Sequence, residues 1–315
     1  MARVAAIGEC MVELSPRPGG LFALGFGGDT LNTAVYLARL GVEVDYLTAL
    51  GDDGFSERML AGWRAEGIGT ALVPRLRGRL PGLYLIEIDD RGERRFSYWR
   101  ESSPARELFA LPQTPGIAAA LPGYGVVYLS GISLSLYGDG GRARLFDALD
   151  RARAAGARIV FDGNYRPRNW SSVAEARAAF EAVLDRAPIV LTSAEDERAV
   201  HGDADAQATV ARLRARGIGE IVVKLGSEGA LVAGPAGATQ LPATPQGRVV
   251  DTTAAGDSFN AAYLAARLGG CDPIAAAVAG NLLAGCVIAH PGAIIRRDAM
   301  PAGLIAPRDA EAARG

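Results

Sequence analysis

The sequence predicts an α/β fold: a mostly parallel central sheet with helices on both faces and a small separate β-sheet. Three observations carry that prediction. Short aliphatic runs alternate with amphipathic stretches of helical period along most of the chain. Gly41, Gly67, Gly156, Gly217 and Gly269 stand where those stretches stop, as left-handed helix ends require. Two regions, 11–24 and 71–100, break the alternation and carry strand-like period with no convincing helix between them.

The first strand is expected at 4–7, an apolar run closed by Gly8, and a helix at 32–40 after the Gly27-Gly28 pair. Strand 44–49 and helix 56–66 complete the opening unit. The second irregular region then reads as a hairpin, with strands 83–88 and 94–99 around the turn Asp89-Asp-Arg-Gly92. Strand 126–129, helix 141–154, strand 158–161, helix 173–185, strand 189–191, helix 206–216 and strand 220–224 follow as βα units, each strand short and aliphatic, each helix amphipathic. Runs at 231–232 and 238–241 suggest a terminal β-meander, and helices are expected at 257–267 and 273–289. The small sheet is too thin to bury both faces, so one face must cover a ligand, a second subunit, or both. The Ala-, Pro- and Arg-rich segment 301–315 is expected to fray. The chain thus reads as one domain, 1–315, with 11–24 and 71–100 inserted in it.

Composition narrows the function. With 49% apolar and 22% charged residues the chain reads as a soluble globular protein, and a net charge of −2 without a basic block argues against nucleic acid or an anionic membrane as partner. No apolar run approaches the ~20 residues of a membrane helix. Cys10, Cys271 and Cys286 form no metal-ligand spacing and suit a reducing, cytoplasmic setting. Lys224 is the only lysine, and Gly-Lys occurs nowhere, which excludes a Walker-type phosphate loop. Nor does Gly-x-Gly-x-x-Gly follow the first strand, as a dinucleotide-binding dehydrogenase would want.

The most informative stretch is Asp251-Thr-Thr-Ala-Ala-Gly-Asp257, running into Ser258-Phe-Asn-Ala-Ala-Tyr. A loop so poor in side chains exposes consecutive amides at a helix start, which makes an anion hole. Asp257 at its mouth would repel a bound phosphate, unless its carboxylate takes a proton from a hydroxyl that attacks the phosphate. The alternative is an ordinary acidic first-turn residue. Gly27-Gly28-Asp29-Thr-Leu-Asn32 offers either sugar-binding polar groups beside an open backbone, or a glycine turn with Asp29 as N-cap. Tyr98 and Arg100, two apart on a strand, share a face; a guanidinium beside an aromatic ring suits a carboxylate, or packs at the surface. Asn164, Arg166 and Arg168 follow strand 158–161 at its C-terminal end, where ligands bind in open α/β sheets.

These two motifs, more than two hundred residues apart, resemble the paired signatures of the ribokinase-like (PfkB-type) sugar kinases. Within that family the stretches Gly8-Glu-Cys-Met-Val-Glu-Leu14, Leu80-Pro-Gly-Leu-Tyr84, Gly92–Arg100, Asp162-Gly-Asn-Tyr-Arg-Pro-Arg168 and Gly292-Ala-Ile-Ile295 are most similar to the 2-keto-3-deoxygluconate kinase branch. The resemblance implies a ribokinase-like fold with the small β-sheet as a lid over the sugar. It implies ATP-dependent phosphorylation of 2-keto-3-deoxygluconate at its 6-hydroxyl, with another ketose (fructose or tagatose) or a non-catalytic sugar- or nucleotide-binding regulator as rivals. Asp257 would be the base, and the amides of Ala255, Gly256 and Asp257 would hold the transferring phosphoryl. Gly28, Asp29, Asn32, Tyr84, Tyr98, Arg100, Arg166 and Asp251 would bind the sugar acid. Asn164, Arg166, Lys224, Gly226, Gly229, Ala254 and Asn281 would border ATP. Glu195 would be an outer-sphere group for Mg²⁺, Asp251 would touch a monovalent cation such as K⁺, and copies of the chain would associate through the lid. Glu13 falls where the family often has Asp, which leaves its role open.

Overall fold

The computed structural model describes residues 2–88, 94–235 and 237–304. From β1 (Val4–Ile7) the chain leaves the main sheet for β2 (Met11–Arg17) and β3 (Leu21–Gly27), then returns through α1 (Asp29–Arg39) to β4 (Val44–Leu47). Two-residue strands β5 (Leu50–Gly51) and β6 (Arg75–Leu76) pair with each other around α2 (Gly54–Ala65). The second excursion is the hairpin β7 (Leu83–Ile88) and β8 (Arg94–Trp99). Next come α3 (Thr114–Ala120), β9 (Val126–Ser130), α4 (Gly131–Leu136), α5 (Asp139–Ala154) and β10 (Arg158–Asp162). Then α6 (Val173–Leu184), β11 (Ile189–Ser193), α7 (Ala194–His201), α8 (Ala206–Ala215) and β12 (Glu220–Lys224) lead to the antiparallel pair β13 (Ala230–Gly234) and β14 (Gly237–Leu241). Helices α9 (Ala255–Leu268) and α10 (Pro273–Val287) close the chain.

The main sheet has the order β14-β13-β12-β11-β10-β9-β1-β4. It is parallel from β4 to β12 and antiparallel beyond. Period-2 alternation splits its side chains between two apolar layers. Val4, Ala6, Val44, Tyr46 and Tyr128 face α1, α9 and α10, while Ala5, Ile7, Val127, Leu129, Ile159 and Phe161 face α5, α6 and α8. Because the central strands are parallel, their carboxyl ends share one edge. Ile7, Ser130, Asp162, Ser193 and Lys224 all end there.

The second sheet, β3-β2-β7-β8, stands apart from the first. Its two excursions are stitched together by the parallel pairing of β2 with β7. Several boundaries differ from expectation, and α3 and α4 were not expected from the sequence. Residues 71–82 do not join this sheet, because Leu72, Val73 and Leu76 pack on the two core layers; instead β3 runs on to Gly27. Helix α1 also begins three residues earlier than its apolar period suggested, at Asp29, so that residue sits in the first turn with Gly28 as N-cap. The hairpin turn at 89–92 and residues 305–315 of the expected frayed tail lie outside the described residues, while Leu304 packs against the core.

The first excursion returns to the core at a point where backbones touch. A Cβ on Gly28 would lie 2.1 Å from the carbonyl oxygen of Glu9, a main-chain atom that cannot swing away. Gly28→Ala should therefore destabilise the protein by about 1–3 kcal/mol, the usual scale of overpacking. Urea unfolding followed by circular dichroism reads this as a lowered midpoint at unchanged slope.

Candidate active site

Three aspartates meet at the carboxyl edge of the main sheet: Asp29 from the first turn of α1, Asp162 from the last position of β10, and Asp257 from the first turn of α9. Each is held by neutral or cationic donors. Asn32 Nδ2 donates to Asp257 Oδ2 at 2.8 Å, across 225 residues of chain. Asn164 Nδ2 at 2.8 Å and Ser130 Oγ at 2.5 Å both donate to Asp29 Oδ2. Lys224 Nζ bridges Asp162 Oδ1 at 3.0 Å and Asn260 Oδ1 at 3.2 Å. Behind them, Tyr128 OH accepts from Asn260 Nδ2 at 3.0 Å and Thr33 Oγ1 at 3.3 Å, and donates to Asp162 Oδ2 at 3.4 Å.

This crowding changes proton affinity. Burial, then the charge on Asp29, then that on Asp162, push the Asp257 carboxyl up to about 8, although the Asn32 hydrogen bond and Lys224 pull it down. Asp29 is also raised, chiefly by burial and further by Asp162. Like charges held together in an enclosed place resist simultaneous ionisation, which gives one of them the proton affinity of a base that works near neutrality.

The start of α9 supplies the opposite polarity. Its N-cap, Ala254, sits in the left-handed region at φ 58°, and no side chain caps the helix. That conformation is strained for a residue with a Cβ and turns the first amides outward. Ala255 N–H reaches Thr252 O at 3.3 Å, whereas the amides of Gly256 and Asp257 have no acceptor among the described residues. By contrast α10, the next helix, is capped by Asp272. Lys224 lies beneath this turn, since a Cβ on Gly256 would stand 3.5 Å from its Nζ. An uncapped helix start over an ammonium is a site for an anion.

The inner face of the small sheet carries Tyr84, Phe96 and Tyr98, with ring centroids 5.9–6.3 Å apart. Tyr84 OH donates to Glu13 Oε2, and Ser15 Oγ to Glu13 Oε1, so Glu13 organises this face. Gly27 abuts it, with an ideal Cβ 2.2 Å from Tyr84 OH. The Arg168 guanidinium lies 5.1 Å above the Tyr98 ring, and its Nη1 donates to Phe96 O at 3.1 Å, tying the lid to the loop after β10. Exposed Arg166 stands nearby, with Asp196 3.9 Å away.

Several expected residues have structural partners of their own. Arg100 is buried and ion-paired with Glu9 beside the Tyr98 ring. Asp251 gives Oδ1 to Thr253 N–H at 2.9 Å and Oδ2 to Gly292 N–H at 2.8 Å, so it fastens two loops instead of standing with Asp29 and Asp257. Asn281 is buried and donates to Pro242 O at 2.9 Å, holding α10 to the loop after β14. Gly229 is required by the close passage of Leu241, whose carbonyl oxygen is 2.0 Å from an ideal Cβ, and Gly226 takes φ 60° in the same turn. Glu195 is exposed on α7; the 100° step per residue turns Asp196 inward instead. Asp196 feels Asp162, Arg166 and Lys224, and burial raises its proton affinity.

Sequence reasoning passed over Asp162, Asp196, Asn260, Glu9 and Tyr128 as site residues. Asp162 had a signal, because it ends a strand at the edge where ligands bind. Tyr128 and Asn260 had none, being polar residues within apolar runs.

A family model for pfkB family carbohydrate kinases matches residues 1–300. Over 307 residues the chain is 44% identical to 2-dehydro-3-deoxygluconokinase of Escherichia coli K12, spanning 95% of this chain and 99% of that one. It is 30% identical over 266 residues to fructokinase of Salmonella typhimurium, 84% of each chain. Among solved structures, a PfkB protein from Polaromonas superposes with a TM-score of 0.80 at 27% identity, covering 90% of this chain and 95% of the other.

The raised Asp257 carboxyl sets a sign for stability against pH. The folded state holds this proton more tightly than the unfolded chain, so the contribution is present below the unfolded value near 4 and is lost as pH rises through about 8. Asp257→Asn keeps an acceptor for Asn32 and has no charge to bury. Its melting temperature should exceed that of the wild type by more at pH 9 than at pH 5, as differential scanning fluorimetry can read.

Proposed function

The chain belongs to the pfkB family of carbohydrate kinases, and on that premise we propose that it transfers the γ-phosphoryl group of ATP to the 6-hydroxyl of 2-keto-3-deoxygluconate. The observation that carries the mechanism is a carboxylate of near-neutral proton affinity, Asp257, the third residue of a helix with an uncapped start. Asp257 takes the proton of the sugar hydroxyl as its oxygen attacks the phosphorus. The Gly256 and Asp257 amides, with Lys224 beneath them, hold the negative charge of the transferring group. Asn32 aims the base, while Asp29, fixed by Ser130 and Asn164, presents its free oxygen to sugar hydroxyls.

Mg²⁺ in such sites is held by substrate phosphates and one or two carboxylates, which Asp162 and Asp196 fit as hard oxygen donors beside Lys224 and Arg166. When bound it would neutralise and orient the ATP phosphates. Asp251, fastening the loops at 251–253 and 290–292, suits a support for a K⁺ site rather than a sugar contact. No helix among the described residues is long and apolar enough to cross a membrane, and a cytoplasmic location agrees with ATP as substrate.

Arginines and aromatic rings around the lid favour a sugar acid over a neutral ketose. Arg166 and Arg168 stand at the mouth, and Arg100 beside Tyr98. A guanidinium fork matches a carboxylate, which fructose lacks. The fructokinase reading is also the more distant one by identity. A non-catalytic regulator would have no use for a tuned base.

The outer lid face carries Phe22, Leu24 and Trp99, 47%, 43% and 57% exposed. Apolar side chains on a thin sheet suit a second copy of the chain. The double variant Leu24→Asp/Trp99→Asp should then run as a monomer in light scattering, where the wild type runs as a dimer or larger.

Two activity measurements test the chemistry. Coupled ADP detection on a sugar panel should show preference for 2-keto-3-deoxygluconate over fructose, and Arg166→Ala should raise the Michaelis constant for the acid about ten- to a hundredfold, the scale of a charge-assisted hydrogen bond, while sparing any activity on fructose. Asp257→Asn should lose about two to four decades of turnover, and wild-type kcat/KM should climb with pH through about 8 as the base sheds its proton. Turnover above a tenth of wild type in that variant would remove Asp257 from the mechanism.

A further inference from the structure

All four passages of the chain between core and lid converge on one residue, Glu9. It lies on the first passage, between β1 and β2. The second, from β3 to α1, rests on its carbonyl oxygen through Gly28. The third, into β7, passes at Gly82, where an ideal Cβ would be 3.1 Å from both Glu9 Oε1 and Arg100 Cβ. The fourth leaves β8 at Arg100, whose Nη2 donates to Glu9 Oε2. Both side chains are buried, at 1% and 10% exposure.

Burying an ion pair contributes little to stability compared with apolar residues of the same shape, so stability alone gives no reason for one here. What the pair does supply is direction. Arg100 adjoins the inner lid face, its guanidinium carbon 5.9 Å from the centre of the Tyr98 ring that Arg168 also covers. Glu9 engages the guanidinium through one amino group, and both Arg100 Nε and Glu9 Oε1 are buried without a partner among the described residues. The guanidinium therefore keeps donors beyond the one spent on Glu9, while that bond ties it to the root of the lid.

Resting on the kinase reading above, we propose that Glu9 is a positioning residue for the sugar: it holds Arg100 at the lid root so that the remaining donors of that guanidinium meet the carboxylate of a sugar acid. Glu9 does not touch the substrate. It acts through Arg100, and because it also meets every lid passage, it sets the orientation of Arg100 and the seat of the lid together.

The test is Glu9→Gln, which keeps the shape and an acceptor, beside Glu9→Ala, which keeps neither. The Michaelis constants for 2-keto-3-deoxygluconate and ATP are measured separately, with sugar-induced thermal shift as a readout of binding without turnover. Glu9→Gln should raise the sugar constant about three- to tenfold and Glu9→Ala more than tenfold, with the ATP constant within twofold in both. In an Arg100→Ala background the Glu9→Gln change should fall below twofold, because its target is gone. An unchanged sugar constant in folded Glu9→Gln overturns the proposal, as does an equal rise for both substrates, or an effect undiminished without Arg100. If Glu9→Ala does not fold, the Glu9→Gln pair of backgrounds decides alone. Failure of the kinase reading would show in the wild type, which would then not turn over the sugar acid; failure of this inference shows only in the variants.

Discussion

Three carboxylates enclosed at one sheet edge are the constraint on which the rest of this site depends. Asp29, Asp162 and Asp257 arrive on different elements, and Lys224 contacts only Asp162 directly. Enclosed like charges would drive the elements apart unless protons or hydrogen-bond donors compensate them. Here both do. Asn32, Asn164, Asn260, Ser130 and Tyr128, residues that a purely structural core would avoid burying, are all buried at this edge. Burial first, and the like charge left uncompensated after it, appear as the raised proton affinity of Asp257 and Asp29.

The same constraint explains why the helix start beside it is left uncapped. A side-chain cap at Ala254 would satisfy the amides of Gly256 and Asp257 but would add an oxygen where an anion must sit. The chain instead accepts a left-handed alanine, a strained backbone placed at the site. Positive amides and an anionic base therefore stand side by side, which is the polarity an attacked phosphoryl group and an attacking hydroxyl require. Each half would be a poor binding site alone.

The lid answers a different problem, how to cover a cleft without filling it. Its sheet has a polar, aromatic inner face, with Glu13, Tyr84 and Tyr98, and an apolar outer face, with Phe22, Leu24 and Trp99. Parallel pairing of β2 with β7 makes one layer of two excursions separated by the whole of α1, β4 and α2. Arg168 joins that layer to the loop after β10, as Arg100 joins its root to Glu9.

Much of this was written locally. Period and glycine stops define the longer strands and helices to within a few residues, because backbone geometry repeats over short distances, but not the short α3 and α4. The loop Asp251–Asp257 announces an anion site with a base at its mouth, since small residues and a helix start are adjacent in the chain. Tertiary structure alone decided the rest. Glu195 and Asp196 are neighbours in sequence, and only the facing of α7 on the sheet selects Asp196. Arg100 reads as a carboxylate-binding or surface-packed cation, and its buried partner Glu9, 91 residues away, shows only in the fold. The raised proton affinity of Asp257 arises only once the fold buries it and brings Asn32 and Asp29 against it from the far end of the chain. Spacing along the chain fixes which groups are present and on what element. Proton affinity and pairing depend on distances through space and on excluded water, and those exist only once the chain has folded.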